Sequence, residues 1–289
     1  MIISVASGKG GTGKTTVSAN LARVYPGPVQ LLDCDVEEPN CHLFLPGVLR
    51  SRDTVATPVP VIDAVLCDGC GACSDICRYN AIAALTDEAM VFDELCHGCG
   101  GCTLVCPRKA ITEKDHRIGE IEVSESGNIS LIQGRIDVGV TMAPPVIRAV
   151  KSLMREDGMP AILDAPPGTS CPVITTIKGT DLVVLVTEPT PFGLNDLKLA
   201  CDMVRELAIP FGVVINRVGA GDDRVHSFCR NSGIPILMEI PDDRRIAEAY
   251  SRGELIVDAL PEYRSVFERL MYRAEEFQNS VRREIYADL

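Results

Sequence analysis

The chain has 289 residues, of which 46% are hydrophobic and 24% charged, and it contains no tryptophan. Its net charge of −12 argues against nucleic acid binding, which needs a basic surface to neutralise phosphates. The longest apolar runs have the length of strands and fall far short of the roughly 20 residues that span a bilayer. We therefore expect a soluble globular protein.

Thirteen cysteines are the most unusual feature of the composition. Met1 leads directly into an apolar run that predicts a first core strand, without the pattern of a signal peptide, so we expect a cytoplasmic location. Structural disulfides are rare in the reducing cytosol. The cysteines therefore indicate metal or redox chemistry.

Short apolar runs alternate along the chain with segments of helix length. The runs cover residues 2–6, 29–32, 161–163, 182–186, 211–215 and 236–240. This alternation is typical of an α/β fold in which a mostly parallel sheet carries helices on both faces.

Residues 7–16 form a glycine-rich stretch between the first predicted strand and a helix-like run. The spacing matches a Walker A P-loop, in which backbone N–H groups surround phosphates. Lys14 would add positive charge at the β and γ oxygens, and the Thr15 hydroxyl would bind Mg²⁺. We expect ATP or ADP to contact Gly8, Gly10, Gly11, Thr12, Gly13, Lys14, Thr15 and Thr16.

Residues 60–116 interrupt the α/β pattern, because they are rich in Cys and Gly and repeat internally with a shift of 29 residues. We predict an inserted domain at 60–116 between two parts of one P-loop domain, 1–59 and 117–289. The approach at residues 57–60 resembles a linker, and the sheet pattern resumes near residues 129–132.

The repeat contains two complete cysteine runs, each with the spacing Cys-x2-Cys-x2-Cys-x3-Cys. In bacterial ferredoxins with two [4Fe-4S] clusters, the fourth cysteine of each run binds the other cluster. The prediction is one cluster on Cys67, Cys70, Cys73 and Cys106, and a second on Cys96, Cys99, Cys102 and Cys77. Zinc is the alternative, although zinc sites favour two separated cysteine pairs per ion. Arg78 follows the first run at the position where ferredoxins usually have proline. This departure affects the expected geometry of the local turn.

Lys9 adds a second lysine at the start of the P-loop. This resembles the deviant Walker A motif of the MinD, ParA, Mrp and nitrogenase iron-protein group. In that family the extra lysine reaches the nucleotide of a partner subunit. The resemblance implies a nucleotide-sandwich dimer, either a homodimer or a heterodimer with a paralogous ATPase.

Other positions match the family one at a time. Asp33 and Asp35 end the second predicted strand, as the switch I aspartates do, and Asp35 stands at the place of the residue that orients the attacking water. Asp164 and Gly168 resemble the Walker B and switch II segment. The resemblance implies Mg²⁺ held by Thr15, Asp33 and Asp164, with the Gly168 N–H near the γ-phosphate.

Two further segments follow predicted strands at the places where these ATPases hold adenine and ribose. They contain Asn216, Arg217, Pro241, Asp242 and Asp243. Residues of these types are common at turns for local reasons, so each segment alone is weak evidence for a nucleotide site. Because both segments occur in the expected order and at strand ends, together they support the prediction.

The end of the chain, residues 263–285, has apolar residues at steps of three and four and predicts an amphipathic helix. In MinD a C-terminal helix targets the membrane. Here arginines and glutamates mix on the polar face, whereas membrane-surface helices favour lysine and arginine. We expect the helix to dock on the sheet.

The cysteines outside the insert allow fewer conclusions. Cys34 and Cys201 are expected to be buried as small hydrophobic residues. Cys171 follows Asp164 by seven residues, as does a cluster-bridging cysteine of the nitrogenase iron protein. It is a candidate for a dimer interface that contacts a client metal or partner.

Together, the P-loop and the insert resemble MinD-superfamily ATPases with an inserted ferredoxin domain. The first hypothesis is ATP-gated electron transfer to a redox partner, because the insert lies in sequence between Asp35 and Asp164 and so connects to both switches. The second is an iron–sulfur carrier of the Mrp type, although no Cys-x-x-Cys pair follows residue 106. The third is a positioning ATPase with structural or sensory clusters.

Overall fold

The computed structural model describes residues 1–155 and 157–287, with side chains up to residue 278. The chain divides into two compact units. The first contains Met1–Arg52, Ile121–Arg135 and the chain from Ile147 onward, and the second contains Asp53–Glu120 and Ile136–Val146.

The described strands are, in chain order, β1 (Ile2–Ala6), β2 (Val29–Asp33), β3 (Val48–Ile62), β4 (Ile82–Ala84), β5 (Ala89–Val91), β6 (Ile111–Ser126), β7 (Ile129–Ile136), β8 (Ala161–Asp164), β9 (Leu182–Thr187), β10 (Phe211–Val218) and β11 (Ile236–Pro241). The helices are α1 (Lys14–Val24), α2 (Cys41–Phe44), α3 (Ala72–Ile76), α4 (Gly101–Val105), α5 (Ala143–Ser152), α6 (Cys171–Ile177), α7 (Pro191–Glu206), α8 (Arg224–Asn231), α9 (Arg244–Ser251), α10 (Ile256–Ala259) and α11 (Arg264–Ala287).

The main sheet has the strand order β11-β10-β9-β1-β8-β2-β7-β6-β3. Neighbours from β11 to β7 pair in parallel, so the prediction of a mostly parallel α/β sheet is confirmed. All six predicted strands exist. β9 is buried along its whole length, which explains its unbroken run of Leu, Val and Thr.

Helices cover both faces of this sheet in the first unit. On one face, Leu21 of α1 packs in a cluster with Phe267 and Leu270 of α11. On the other face, Leu197 of α7 and Val225 of α8 belong to a second cluster. Burying each large side chain of this kind stabilises a fold by about 1.5–3 kcal/mol, so these two clusters hold the strand ends in place.

The C-terminal helix docks on the core, as predicted. Phe267, Leu270, Met271 and Ala274 of α11 are buried in the first cluster, whereas the predicted apolar positions Val281 and Ile285 lie outside the described side chains. Among the residues that the structure describes, no helix is both long and apolar enough to cross a membrane.

The prediction of a linker at residues 57–60 was wrong, because these residues belong to β3. Pro58 and Pro60 obscured the strand in the sequence. β3 is the last strand of the sheet order, and proline is tolerated in edge strands, where a backbone N–H is not needed on the outer side.

Besides parts of β3 and β6, the second unit contains only short elements among the described residues. β4 and β5 form a two-stranded antiparallel sheet, in which Ile82 lies opposite Val91. The helices α3 and α4 have five residues each, and a left-handed glycine precedes each of them. The sequence repeat is therefore also a repeat of backbone conformation.

Candidate functional site

The P-loop packs too closely for side chains at two of its glycines. A Cβ atom at Gly8 would lie 2.2 Å from the carbonyl oxygen of Asp196. Gly13 precedes α1 with φ near 98°, a conformation that favours glycine, and a Cβ there would lie 2.5 Å from Asn216 Nδ2. The loop thus packs closely against β10 and α7.

A cavity of about 570 Å³ opens at the carboxyl ends of the parallel strands. From the predicted nucleotide contacts, its lining contains Gly10, Gly11, Gly13, Lys14, Thr15, Thr16, Asp35, Asn216, Arg217, Pro241, Asp242 and Asp243. Ligands of open α/β sheets bind at such strand ends. The structure thus brings together P-loop and adenine-site candidates that are far apart in sequence.

Three predicted contact residues lie outside this lining. Gly8 packs against α7, as described above. The carbonyl oxygen of Thr12 accepts a hydrogen bond from Asn216 Nδ2 at 2.8 Å, and the Gly168 N–H donates to the carbonyl oxygen of Ser7 at 3.0 Å. Gly168 would have to leave Ser7 in order to contact a γ-phosphate.

Helix α9 contributes residues that the sequence did not single out. Arg244, Ile246, Ala247 and Tyr250 line the cavity, and the Tyr250 ring lies 4.9 Å from that of Phe44. The helix begins directly after the predicted segment that ends at Asp243. The helical spacing of its residues could have predicted which of them face the cavity.

Two aspartates at neighbouring strand ends are fully buried beside the P-loop. Asp164 Oδ2 accepts a hydrogen bond from Thr15 Oγ1 at 2.6 Å, and Asp33 Oδ2 accepts from the Cys41 N–H at 3.0 Å. Burial and the neighbouring Asp164 raise the pKa of Asp33 to about 7, and burial raises the pKa of Asp164 as well.

Asp164 Oδ1 is buried and finds no hydrogen-bond partner among the described residues. A divalent cation would satisfy this oxygen and offset the burial of two carboxylates. Thr15, Asp33 and Asp164 therefore fit the predicted Mg²⁺ site.

Asp35 lies nearer the open cavity, which it lines together with Lys14. Burial raises its pKa to about 6, and the positive charge of Lys14 opposes this shift. At neutral pH the carboxylate is therefore mostly ionised and able to accept a hydrogen bond from water.

The second lysine of the P-loop pairs within its own chain. Lys9 Nζ lies 3.2 Å from Glu188 Oε2, while Arg217 binds the other oxygen of the same carboxylate at 3.1 Å. Arg217 has a φ of 56°, and its N–H donates to Asn216 Oδ1. Glu188 thus connects the P-loop to the far wall of the cavity.

The cysteines of the second unit line two separate cavities. One cavity is lined by Cys67, Cys70, Cys73 and Cys106, and the other by Cys77, Cys96, Cys99 and Cys102. Each cavity therefore takes three cysteines from one run and the fourth from the other. In the described part of the chain, which includes all 13 cysteines, each cysteine is free.

The backbone around these cysteines is repeated as well. Asn80 and Lys109 both have φ near +54°, and each precedes an alanine N–H that donates to a cysteine sulfur at 3.3 Å. Backbone N–H groups directed at sulfur are what iron–sulfur ligands require. Burial also raises the pKa values of Cys73, Cys96 and Cys102. The donor sets fit two cubane clusters.

Two differences separate the cavities. Pro107 and Arg108 line the first, and Arg108 pairs with Asp68 at 2.8 Å. Tyr79 and His97 line the second and stack with ring centroids 3.5 Å apart. His97 is an exposed loop residue.

The cysteines outside the second unit differ in exposure. Cys34 and Cys201 are fully buried, which confirms that prediction, and Cys229 is buried too. Cys171 is exposed at the start of α6. Cys41 is buried next to Asp33 and Asp164.

Comparison with known proteins agrees with this geometry. Residues 3–256 match the family described as the CobQ/CobB/MinD/ParA nucleotide binding domain. The chain belongs to this family, and membership implies nucleotide binding. The solved structure of MinD with Mg-ADP from Pyrococcus horikoshii superposes with a TM-score of 0.59 and 20% identity, covering 93% of each chain, and so shares the fold.

Two curated relatives are also informative. The uncharacterized protein MJ0579 of Methanocaldococcus jannaschii is 33% identical, covering 88% of this chain and 90% of its own length. An iron-sulfur cluster carrier protein of Aquifex aeolicus is 28% identical, covering 90% of this chain and 63% of its own length.

Proposed function

We propose that this protein binds and hydrolyses ATP and couples the resulting switch to electron transfer through two [4Fe-4S] clusters. The observation that carries the proposal is the crossed composition of the two cysteine cavities, because this is the ligand pattern of two-cluster ferredoxins. When bound, such clusters supply one-electron redox chemistry.

The residues around the nucleotide cavity have distinct roles in the proposed hydrolysis. Lys14 neutralises charge at the β and γ oxygens, and Asp35 orients the attacking water. The water oxygen bonds to the γ-phosphorus while the bond to the bridging oxygen breaks, and the proton that the water loses passes to the released phosphate or to solvent, so ADP and phosphate leave. A Mg²⁺ ion held by Thr15, Asp33 and Asp164 would add positive charge at the same oxygens.

A nucleotide-sandwich dimer is part of the proposal, formed with a second copy or with a paralogue. Lys9 is about one-third exposed and is held by Glu188, so a modest rearrangement would release it towards a partner's nucleotide. Arg217 would still pair with the Glu188 carboxylate after Lys9 leaves, and charge-assisted contacts with a triphosphate would replace the ion pair that Lys9 loses.

Anaerobic purification followed by iron analysis and redox titration tests the proposal. We expect about eight iron atoms per chain, with cluster potentials that differ between the ADP state and an ATP-analogue state. A Lys14→Ala variant should keep the iron and lose the nucleotide effect. Cluster potentials that are the same in the ADP state and the ATP-analogue state of the wild type would contradict the proposed coupling.

An iron–sulfur carrier is the second candidate, favoured by the similarity to the Aquifex aeolicus carrier protein. The absence of a Cys-x-x-Cys pair after residue 106 opposes it. Incubation with an apo-ferredoxin separates the two functions, since a carrier would transfer its iron within minutes and an electron-transfer protein would retain it. Cys171→Ser should slow the transfer if Cys171 contacts the client.

A further inference from the structure

A thiol lies among the buried carboxylates at the ends of the neighbouring strands β2 and β8. One ligand atom from each of Asp33, Cys41 and Asp164 lies within 4.8 Å of the other two, and all three residues are buried. Cys41 Sγ is 3.6 Å from Asp164 Oδ2. Nucleotide binding and hydrolysis, as proposed above, do not use this sulfur.

Independent features of the site point to a cation. Asp164 Oδ1 has no hydrogen-bond partner in the described chain, although it is fully buried. The backbone N–H groups of Asn40 and Cys41 both donate to Asp33 Oδ2, at 2.9 and 3.0 Å, which orients that carboxylate next to the thiol. These hydrogen bonds hold the Asp33 carboxylate beside the Cys41 thiol.

The ligand types select the kind of ion. Mg²⁺ demands six oxygen ligands in an octahedron, keeps several waters, and gains little from sulfur. Zn²⁺ and related borderline or soft ions accept mixed sulfur and oxygen ligands and need only about four. One sulfur and two carboxylates leave a single position for water.

We propose that Asp33, Cys41 and Asp164 form a site for one thiophilic divalent cation of the Zn²⁺, Co²⁺ or Cd²⁺ class, which competes with Mg-nucleotide. On binding, the Cys41 thiol releases its proton to solvent and a sulfur–metal bond forms, with no change of oxidation state. The ion binds the same two aspartates that the nucleotide-bound Mg²⁺ requires, and the two ions therefore compete. The proposal does not depend on the clusters of the second unit.

Cadmium is the probe for the test, in anaerobically purified, cluster-loaded protein that has been treated with EDTA. Loading the clusters matters because the eight cysteines of the second unit would otherwise bind cadmium themselves. After addition of one equivalent of ¹¹³Cd²⁺ and gel filtration, cadmium and iron are measured by mass spectrometry, and the ligands are identified from the ¹¹³Cd NMR shift.

We expect one retained cadmium, unchanged iron, and a chemical shift typical of one sulfur among oxygens. Cys41→Ala should weaken cadmium binding at least tenfold. The matched control is Cys229→Ala, which removes an equally buried thiol from the other core cluster and should change nothing. Cadmium should raise the apparent Kd of Mg-ADP at least tenfold in the wild type and not in Cys41→Ala.

Equal cadmium affinity in wild type and Cys41→Ala would overturn the proposal, and so would an all-sulfur shift accompanied by released iron. An unchanged Kd for Mg-ADP would remove the competition. Circular dichroism melting shows whether Cys41→Ala folds. If it does not, Cys41→Ser, which keeps a small polar side chain but replaces sulfur by oxygen, provides the same comparison and the same outcomes.

Discussion

The two units of this protein build their sites in opposite ways. In the first, the cavity lies at the ends of strands that two large hydrophobic clusters already support. In the second, the clusters of buried residues are very small, and cysteines are among their members. They consist of Val59, Ala81 and Cys96, and of Cys73, Ile82 and Ile111.

The two units therefore differ in what stabilises their folds. A unit with a large apolar core can order its site without ligand, whereas small units with little core usually depend on metals or disulfides. Two of the eight cysteines that line its cavities, Cys73 and Cys96, are also members of its small buried clusters. We therefore expect ligand loss to affect folding there, and to affect only binding in the first unit.

Removing iron should have the largest effect and would test this contrast directly. Without clusters, we expect amides of β4, β5, α3 and α4 to lose hydrogen-exchange protection by more than about 100-fold, because metal-binding energy is folding energy in such units. Amides of β1 and β9 should stay protected. Hydrogen exchange with mass spectrometry measures both, and full protection of β4 after chelation would contradict the contrast.

Lys14→Ala should weaken ATP binding about 10- to 100-fold, because charge-assisted hydrogen bonds are worth about 1.5–3 kcal/mol. Iron content and melting temperature should not change, since Lys14 contributes to the cavity of a unit that folds by its own core. Calorimetric titration gives the affinity. Lys198→Ala, which alters an exposed lysine on α7, is the matched control.

Paired cysteine substitutions would sharpen the assignment of the second unit. Cys70→Ser with Cys106→Ser should cost about half of the iron, because both cysteines line one cavity and serve one cluster. Cys70→Ser with Cys99→Ser should cost nearly all of it. Iron analysis and EPR report the result, and Cys201→Ser is the control. Similar losses in both pairs would mean that each run binds its metal separately.

The first unit should also carry a pH-dependent stability that originates at the buried Asp33 carboxyl. Because the pKa of Asp33 is about 7 when folded and about 3.9 when unfolded, its stabilising protonation is complete below about pH 4 and lost as pH rises through 7. Without nucleotide or divalent cations, wild type should lose up to about 1.4 kcal/mol per pH unit relative to Asp33→Asn over this range. Urea unfolding at several pH values measures the difference, and parallel curves would contradict it.

The smallest expected effect concerns a helix cap beside the cavity. The Asp243 carboxylate accepts hydrogen bonds from the Arg245 N–H at 2.9 Å and the Tyr263 hydroxyl at 3.0 Å. Asp243→Ala should lower the free energy of unfolding by about 1 kcal/mol, the usual value of an N-cap. Asp242→Ala changes the adjacent exposed aspartate and should be close to neutral. Equal effects of the two substitutions in urea unfolding would show that the cap contributes nothing.

Much of this molecule was predictable because its signals are local. Apolar runs such as residues 182–186 identified the strands, and the P-loop spacing identified the loop before α1. Strand β3 was missed, because Pro58 and Pro60 hide a strand whose position at the sheet edge is a tertiary property. The wall formed by α9 was missed because the matched segment ended at Asp243.

The sequence by itself predicted the kinds of ligand and determined how the cysteines are grouped. The spacing of cysteines and glycines decides how a short loop bends, and such loops bind through their own backbone. Only the tertiary structure decided which distant groups meet. Cys41 and Asp164 are 123 residues apart, and Lys9, after β1, pairs with Glu188, after the neighbouring strand β9. These contacts depend on strand order and burial, which no local pattern records.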